Sequence, residues 1–454
     1  LARSLADLTV MISDTEHGAY PYAGVPWYST PFGRDGIITA FEVLWANPAL
    51  ARGVLSYLAA RQADFSNPAQ EAEPGKILHE VRGGEMAALG EIPFGCYYGS
   101  HDSTPLFVML AAAYYERSGD RGFVEGIWPN LLRALEWIER YGDRDGDGLV
   151  DYQRQGDSGL VHQGWKDSLD SVFHQDGRLA EGPIAMCELQ GYVYAAWLGA
   201  ARLARLFDAA GQADEFEAKA TALRERFEKE FWSDALGTYV LALDGEKHPC
   251  QVRTSNAGHA LWSGIASPER AAAVARALLA PDSFSGWGIR TVSTSERRYN
   301  PMSYHNGSVW PHDNALVGMG FSRYGLHEAT QKVLAGLFDA SLFVDLHRLP
   351  ELFCGFTRRP GEAPTLYPVA CSPQTWASGS VFLLLQAVLG LEISAPERRI
   401  QFRSPRLPPF LEEVRITDLR VGDAVLDLDL RRHKDDVGIE VTRRTADIEV
   451  ERIP

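Results

Sequence analysis

The sequence predicts an all-α protein, an (α/α)6 barrel of six helical hairpins, with a small antiparallel β appendage at its C-terminal end. Three observations predict this fold class: about twelve segments with the 3.6-residue hydrophobic period of helices, connections that alternate between short and long, and a change to period-two hydrophobicity after about residue 397. Residues 1–396 are therefore expected to form the catalytic barrel domain, and residues 397–454 a small β domain.

The predicted helices are bounded by Gly, Pro and capping residues, as at Asn47-Pro48, Ser118-Gly119-Asp120 and Ser267-Pro268. They cover residues 2–12, 35–46, 49–63, 103–118, 123–141, 183–209, 213–232, 254–264, 268–280, 307–324, 326–342 and 374–391.

The lengths of the connections indicate how these helices are arranged. Every second connection, beginning with the one after residues 35–46, has about one to four residues, whereas the others reach roughly twenty to forty. Because short links make neighbouring helices antiparallel, this alternation gathers the long loops at one end of a ring, where function is expected. A helical bundle or a solenoid is the alternative, but a solenoid has a fixed repeat, and the sequence shows none.

The predicted strands of the appendage lie in the stretches EVRITDLRV, AVLDLDLRR and VGIEVTRR. Val421-Gly422-Asp423 and Lys434-Asp435-Asp436 are the turns between them. These strands carry no obvious chemistry.

Composition excludes several classes of partner. Lys and Arg total 44 against 60 Asp and Glu, and the net charge of −16 disfavours nucleic acid and anionic membrane surfaces. The five cysteines lack C-x-x-C spacing, so neither a disulfide framework nor a zinc site is expected, and a reducing cytoplasm fits best. No apolar run approaches the roughly 18 residues that span a bilayer.

The first long loop contains PWYSTPFGRDG, residues 26–36. Trp27 offers a flat apolar face against which a sugar ring can stack, and Arg34 offers a fork for hydroxyls or a carboxylate. Asp35 has two open interpretations, a helix N-cap or a substrate contact.

The second long loop contains KILHEVRGGEM, residues 76–86, and YYGSHDSTPLF, residues 97–107. His79 and Glu80 lack the H-E-x-x-H spacing of a zinc site, so polar substrate contacts are favoured and no metal is expected. Asp102 directly precedes a predicted helix, where it caps that helix or reaches the substrate.

The third long loop opens with DRDGDGLVDY, residues 143–152, which matches the start of an EF-hand loop. Position twelve is Arg154 instead of Glu, and no second EF helix follows, so a calcium switch is not expected. A tight Asp/Gly turn or a structural cation at Asp143–Asp147 both remain open.

The same loop continues with HQGWKDSLDS, residues 162–171. Trp165 and Lys166 directly precede Asp167, and Asp170 follows three residues later. A solvated loop has no need of Trp, and a core strand would not hold Lys and two Asp residues, so this stretch is a candidate catalytic segment.

The last long loop contains RLPELFCGF, residues 348–356, in which apolar residues flank Glu351 on both sides. A surface Glu in a turn is the alternative, but apolar neighbours would raise the pKa of the carboxyl and suit it to activate water. Cleavage of a glycosidic bond typically needs two carboxyl groups. The strongest pair in the sequence is Asp167 and Glu351.

Six stretches in order, PWYSTPFGRD, PGKILHE, GWKDSLDS, YHNGSVWPHDNA, LPELFCGF and CSPQTWA, resemble the amylo-α-1,6-glucosidase domain of glycogen debranching enzymes and their bacterial relatives. The resemblance spans roughly residues 20–391. It implies an inverting glycoside hydrolase without a cofactor, which cleaves terminal α-glucosidic, chiefly α-1,6, bonds of an α-glucan or oligosaccharide, with Asp167 as general acid and Glu351 as general base. The implied substrate pocket consists of Trp27, Arg34, Asp35, His79, Glu80, Trp165, Lys166, His305, Asn306, Trp310, Gln374 and Trp376, with Asp102 and Asp170 beside them.

Asp170 is the rival of Asp167 for the role of acid. The sequence departs from the family in having no transferase-type barrel, and bacterial relatives usually carry an N-terminal β domain that this sequence does not contain. Two other functions stay open: an exo-glycosidase of the same barrel class acting on mannoside, trehalose-like or rhamnoside substrates, and a non-catalytic carbohydrate-binding protein. The presence of both carboxylates argues against the second.

Overall fold

The computed structural model describes residues 1–434 and 436–453, and within them the chain is mostly helical with β-strands at its C-terminal end, as predicted. Each of the twelve predicted helices has a counterpart, and α4 is an additional single turn. The helices are α1 Ala2–Met11, α2 Gly33–Val43, α3 Pro48–Ala60, α4 Glu85–Ala88, α5 Ser103–Ser118, α6 Arg121–Trp137, α7 Cys187–Leu206, α8 Ala210–Glu230, α9 Asn256–Ser263, α10 Pro268–Leu278, α11 Pro311–Arg323, α12 His327–Ser341 and α13 Thr375–Leu389.

The helices fall into two kinds according to how much of their surface is buried. Along α7 nearly every residue from Cys187 to Ala204 is buried, whereas α8 buries one stripe at a spacing of three to four residues, from Ala213 to Phe227. A helix that is buried all round lies inside a protein, and a helix with one apolar stripe covers its outside. The pair therefore consists of an inner and an outer helix.

Six inner helices form a closed ring. Each contacts the next in the order α2, α5, α7, α9, α11, α13, and α13 contacts α2 again. The outer helices pack on this ring, with α3 on α2, α6 on α5, α8 on α7, α10 on α9 and α12 on α11, while α1 packs on α13. The short links after α2, α5, α7, α9 and α11 reverse the chain each time, so all inner helices run in the same direction.

The long connections lie at the end of the ring where the inner helices begin. The sequence interpretation treated them as loops, but three of them contain short strands: β1 Ile12–Thr15, β2 Gly18–Gly24 and β3 Tyr28–Pro31 in the first, β4 Ala185–Met186 in the third, and β5 Trp232–Ser233, β6 Thr238–Tyr239 and β7 Ala242–Leu243 in the fourth. β4 pairs with β7, which belongs to another connection. β4 and β7 have two residues each and are far apart in sequence, so no alternating hydrophobic pattern in the sequence could predict them.

The C-terminal strands are β8 Leu391–Ser394, β9 Arg399–Arg403, β10 Glu413–Val421, β11 Ala424–His433, β12 Asp436–Arg444 and β13 Glu449–Ile453. β10, β11 and β12 form an antiparallel sheet, as predicted. The second sheet corrects the purely antiparallel expectation, because β13 pairs with β9 in parallel while β8 pairs with β9 antiparallel. Both predicted turns fall between strands, although Asp435 of the second lies outside the described residues.

The strands share a hydrophobic core with the helices. Leu8 of α1, Phe382 of α13 and Trp45, which follows α2, pack in one buried cluster with Phe402 and Leu428 from β9 and β11. The domain boundary predicted at residues 396 and 397 falls inside the β8–β9 hairpin, and the division into two domains stays a prediction. None of the described helices is long and apolar enough to cross a membrane.

Candidate active site

A cavity of about 240 Å³ lies at the end of the ring where the inner helices begin. The first turns of α2 and α13 and the residue before α11 contribute to its wall, and the long loops contribute the rest. Unpaired backbone N–H groups and helix dipoles give such an end a positive partial charge, which stabilises carboxylates nearby. The wall consists of Tyr28, Phe32, Arg34, Asp35, His79, Glu80, Arg82, Phe94, Leu160, Trp165, Asp167, Tyr304, His305, Trp310, Glu351, Gln374 and Trp376.

Asp167 is the more accessible of the two predicted catalytic carboxylates, with 29% of its side chain exposed. Its Oδ2 accepts a hydrogen bond of 3.4 Å from Nη2 of Arg34, and Nη1 of the same guanidinium donates to Oδ2 of buried Asp102 at 2.9 Å. Burial raises the pKa of Asp167 to about 6, and the positive charge of Arg34 opposes that rise. A carboxyl group with this pKa can carry a proton near neutral pH, as a general acid must.

Glu351 lies deeper, with 2% of its surface exposed. The hydroxyl of Tyr304 donates to Oε1, and the backbone N–H of Cys371 donates to Oε2 at 2.8 Å. Burial raises the pKa of Glu351 to about 7, the negative charge of Asp167 adds to the rise, and these two hydrogen bonds oppose it. The two donors hold the carboxylate in a fixed orientation toward the cavity.

Two further carboxylates face the cavity. Asp35 lies within the first turn of α2 and is not its N-cap, and its Oδ1 accepts from Nε2 of Gln374 at 3.2 Å. Burial raises the pKa of Asp35 to about 7, against the opposing charge of Arg34. Glu80 accepts a hydrogen bond of 2.5 Å from Nε of Arg82, and burial raises its pKa as well.

An aromatic wall covers another side of the cavity. His305 stacks on Trp310 with a centroid distance of 5.2 Å, and Trp165 meets Trp310 edge to face at 5.8 Å. Trp376 stacks on His312 at 3.7 Å. These contacts fix the ring planes, and rigid aromatic faces are suited to the C–H face of a sugar ring.

Eleven of the sixteen residues predicted for the site line this cavity, and five do not: Trp27, Asp102, Lys166, Asp170 and Asn306. Trp27 is 56% exposed, outside the wall, with its Nε1 donating to the carbonyl of Val369. This hydrogen bond holds the ring outside the cavity wall, and its contact with a substrate stays a prediction.

The other four lie behind the wall or beside it. Asp102 makes no side-chain cap hydrogen bond and instead holds Arg34. Lys166 is buried, and its Nζ donates to the carbonyl of Thr291 at 2.7 Å. The amide of Asn306 donates to the backbone carbonyl of Asp170 at 3.0 Å. The carboxyl of Asp170 is not among the groups that line the cavity, so the geometry favours Asp167 as the candidate acid.

Six lining residues were not predicted: Tyr28, Phe32, Arg82, Phe94, Leu160 and Tyr304. Four of them, Tyr28, Phe32, Arg82 and Tyr304, lie inside the motifs quoted from the sequence. Including every aromatic and basic residue of those motifs among the candidates would have found them. Phe94 and Leu160 have no such signal.

The acidic loop at Asp143–Asp147 lies apart from the cavity. Carboxylate oxygens of Asp143, Asp145 and Asp147 lie within 4.8 Å of one another, a spacing that could hold a metal ion. The ammonium group of Lys247 lies 3.0 Å from both Asp145 and Asp147 and 3.2 Å from Asp151. A cation from the chain itself thus already offsets much of the negative charge.

With a candidate acid and a candidate base on one cavity, the class of protein that the site defines is a glycoside hydrolase. Comparison with protein families agrees. The model of the mannosylglycerate hydrolase MGH1-like glycoside hydrolase domain matches residues 33–341, and the chain belongs to this family. The family match supports the glycosidase class, and it does not specifically support the amylo-α-1,6-glucosidase resemblance.

Two mannosylglycerate hydrolases are similar to this chain. Mannosylglycerate hydrolase MGH1 of Selaginella moellendorffii is 36% identical over 73 residues, which are 16% of this chain and 15% of that protein. A GH63 mannosylglycerate hydrolase from Thermus thermophilus, solved with Tris and D-glycerate, superposes with a TM-score of 0.60 at 15% identity over 84% of this chain and 98% of that one.

A second structural neighbour is a glycosidase of another family. A GH78 family rhamnosidase of Bacillus sp. GL1 reaches a TM-score of 0.65 at 16% identity over 94% of this chain and 39% of that one. At such identities both structures show a shared fold and nothing finer.

Proposed function

We propose that this protein is an inverting exo-glycosidase that hydrolyses an α-mannosidic bond in a small glycoside of the mannosylglycerate type. The ring of helices would be the (α/α)6 barrel that the sequence predicts. The observation that carries the proposal is the pair of carboxyl groups, Asp167 and Glu351, on one cavity, each with a pKa raised toward neutrality.

In this mechanism Asp167 is the general acid. Its carboxyl, exposed at the cavity, gives its proton to the glycosidic oxygen as the bond to the sugar breaks. Arg34, held by Asp102, then stabilises the aspartate that remains. The leaving alcohol departs as a neutral molecule.

Glu351 is the general base. Tyr304 and the N–H of Cys371 hold its carboxylate, which takes a proton from water as the water attacks the anomeric carbon from the face opposite the leaving group. Attack from that face inverts the configuration, so an α-glycoside gives the β-sugar first.

The family and the size of the cavity support a small mannoside as substrate. The cavity, about 240 Å³, is smaller than the roughly 300–1,000 Å³ of pockets that take drug-sized ligands, so it suits one sugar ring and little more. An α-1,6-glucosidic bond of a glucan was the first interpretation of the sequence, and the family match favours the mannoside alternative.

A substrate panel and two variants test the proposal. Mannosylglycerate and neutral α-mannosides are compared with isomaltose, panose, limit dextrin and trehalose. We expect hydrolysis of a mannoside, with the β anomer first in proton NMR, and a loss of about 10²–10⁴-fold in kcat in both Asp167→Asn and Glu351→Gln. Circular dichroism of both variants controls for folding.

Each part of the proposal can fail separately. A retained anomer would overturn inversion, near-normal activity of either variant would remove that residue from the mechanism, and glucose release from isomaltose without mannoside cleavage would restore the glucosidase interpretation.

A further inference from the structure

His305 lies deep in the wall of the candidate active site, beside the loop that carries the proposed acid. Only 2% of its surface is exposed, and it lines the cavity. Its Nδ1 lies 3.3 Å from the backbone nitrogen and 2.7 Å from the hydroxyl oxygen of Ser168, the residue that follows Asp167. The amide of the next residue, Asn306, donates to the carbonyl of Asp170 at 3.0 Å. Two consecutive residues therefore fix the position of the ring relative to the acid.

The contact with Ser168 determines which ring nitrogen of His305 carries the proton. A backbone N–H group can only donate a hydrogen bond, so the Nδ1 atom that it faces at 3.3 Å is an acceptor. The hydroxyl of Ser168 donates to the same atom. Burial and the positive charges of Lys166 and Arg34 lower the pKa of His305 well below its ordinary value, so the ring is neutral. A neutral imidazole has one N–H group, and in His305 it lies at Nε2.

The surroundings of the ring leave this N–H group without a protein partner. His305 stacks on Trp310, and Trp165 and Tyr304 meet its ring edge to face at centroid distances of 5.8 and 4.6 Å. Within the residues that the structure describes, Nε2 of His305 makes no hydrogen bond. An N–H group that lines a cavity and has no protein acceptor is free to donate to a bound ligand, and a few such polar groups usually orient the ligand in its pocket.

We propose that His305 donates a hydrogen bond from Nε2 to one hydroxyl group of the sugar ring whose bond is cleaved, and so helps to select that sugar. The acceptor belongs to this ring because the cavity suits one ring and His305 lies deep in its wall, whereas 29% of the side chain of Asp167 is exposed. A site that hydrogen-bonds a substrate hydroxyl rejects the analogue that lacks it. The inference rests on the proposed hydrolysis of a glycoside, but not on which sugar is preferred.

Two variants separate the roles of the two ring nitrogens. The amide of Asn takes the position of Nδ1, so His305→Asn keeps an acceptor for Ser168 and has no group at the position of Nε2. The longer side chain of Gln places an N–H group at the position of Nε2, so His305→Gln keeps the donor and loses the acceptor. We expect His305→Asn to lower kcat/KM about tenfold and His305→Gln to lower it less.

The decisive measurement compares the best substrate of the panel with its deoxy forms, each of which lacks one ring hydroxyl. In the wild type, the deoxy substrate that lacks the acceptor of His305 is expected to lose about tenfold in kcat/KM. In His305→Asn the same substrate is expected to react as fast as its parent, because the donor is already gone, and in His305→Gln the loss is expected to remain. The other deoxy substrates are expected to lose the same factor in all three proteins.

His327→Asn, at the start of outer helix α12, is the matched control and is expected to behave like the wild type. Circular dichroism checks the fold of each variant. The proposal is overturned if every deoxy substrate loses the same factor in His305→Asn as in the wild type. A larger loss on the parent substrate in His305→Gln than in His305→Asn would also overturn it, since the ring would then act by positioning Ser168. If no glycoside of the panel is hydrolysed, the proposed function itself is wrong, and this contact with it.

Discussion

Replacement of Tyr304 by Phe isolates what the environment does to the proposed base. The variant removes the hydroxyl that donates to Oε1 of Glu351 and leaves the ring in place. A hydrogen bond to a charged group contributes about 1.5–3 kcal/mol, and one pKa unit corresponds to about 1.4 kcal/mol. Since the hydroxyl favours the ionised form, its loss is expected to raise the pKa of Glu351 by about one to two units from about 7.

The consequence for catalysis depends on pH. The active form needs Asp167 protonated and Glu351 ionised, and because the pKa of the acid, about 6, lies below that of the base, about 7, this form is a minor fraction of the enzyme at every pH. Raising the second pKa to between about 8 and 9 lowers kcat/KM at pH 7 by about five- to fiftyfold. The defect is expected to shrink as the pH rises and to disappear by about pH 10, where the base is ionised in both proteins.

The measurement is kcat/KM from pH 5 to pH 10 on the best substrate of the panel. Tyr299→Phe is the matched control, because this tyrosine lies in the same loop but its hydroxyl donates to the carbonyl of Gly355 at 3.1 Å. A loss of the same size at every pH would refute the reasoning, since it would assign Tyr304 to substrate binding instead of to the base. Wild-type activity in Tyr304→Phe would refute it as well.

Three other variants follow from the structure. Lys247→Met is expected to lower the free energy of unfolding by about 1–3 kcal/mol, measured by denaturant titration, because buried Asp151 loses its counter-charge; unchanged stability would contradict this. Trp27→Ala is expected to change kcat/KM less than about twofold on a small mannoside, since the ring lies outside the cavity; a large loss would return Trp27 to the site. Arg82→Gln is expected to raise KM about tenfold for mannosylglycerate and far less for neutral mannosides. The reason is that the partly exposed guanidinium of Arg82, which is hydrogen-bonded to Glu80, faces the cavity and can bind the carboxylate of the leaving group. Equal effects on both substrates would argue against an anionic leaving group.

The sequence predicted the helical architecture well because its signals are local. The apolar stripe of α8 and the nearly continuous burial of α7 both follow from hydrophobic periodicity. Loop lengths then indicated that Asp167 and Glu351 share one end of the ring. Each of these inferences needs only the order of residues along the chain.

Orientation within the loops could not be predicted in the same way. Trp27 and Trp165 both lie in long loops, yet Trp27, hydrogen-bonded to the carbonyl of Val369, lies outside the cavity wall, and Trp165 lies in the wall. Asp102 has the sequence position of a helix cap, and its actual role depends on Arg34, 68 residues earlier in the chain. Contacts of this range are made by the folded ring and leave no pattern in either segment.

The immediate surroundings of Asp35, Asp167 and Glu351 explain how the cavity holds several acidic groups at once. Asp35, Asp167 and Glu351 raise one another's pKa values or are raised by burial, and in water their ordinary pKa values near 4 would leave none of them protonated at neutral pH. The charge of Arg34 opposes the rise at Asp35 and Asp167, and the hydrogen bonds from Tyr304 and the N–H of Cys371 oppose it at Glu351. Burial alone would leave all three neutral, and full solvation would leave all three charged. Asp167 and Glu351 can supply an acid and a base only when their pKa values lie between these two extremes, as they do in this cavity.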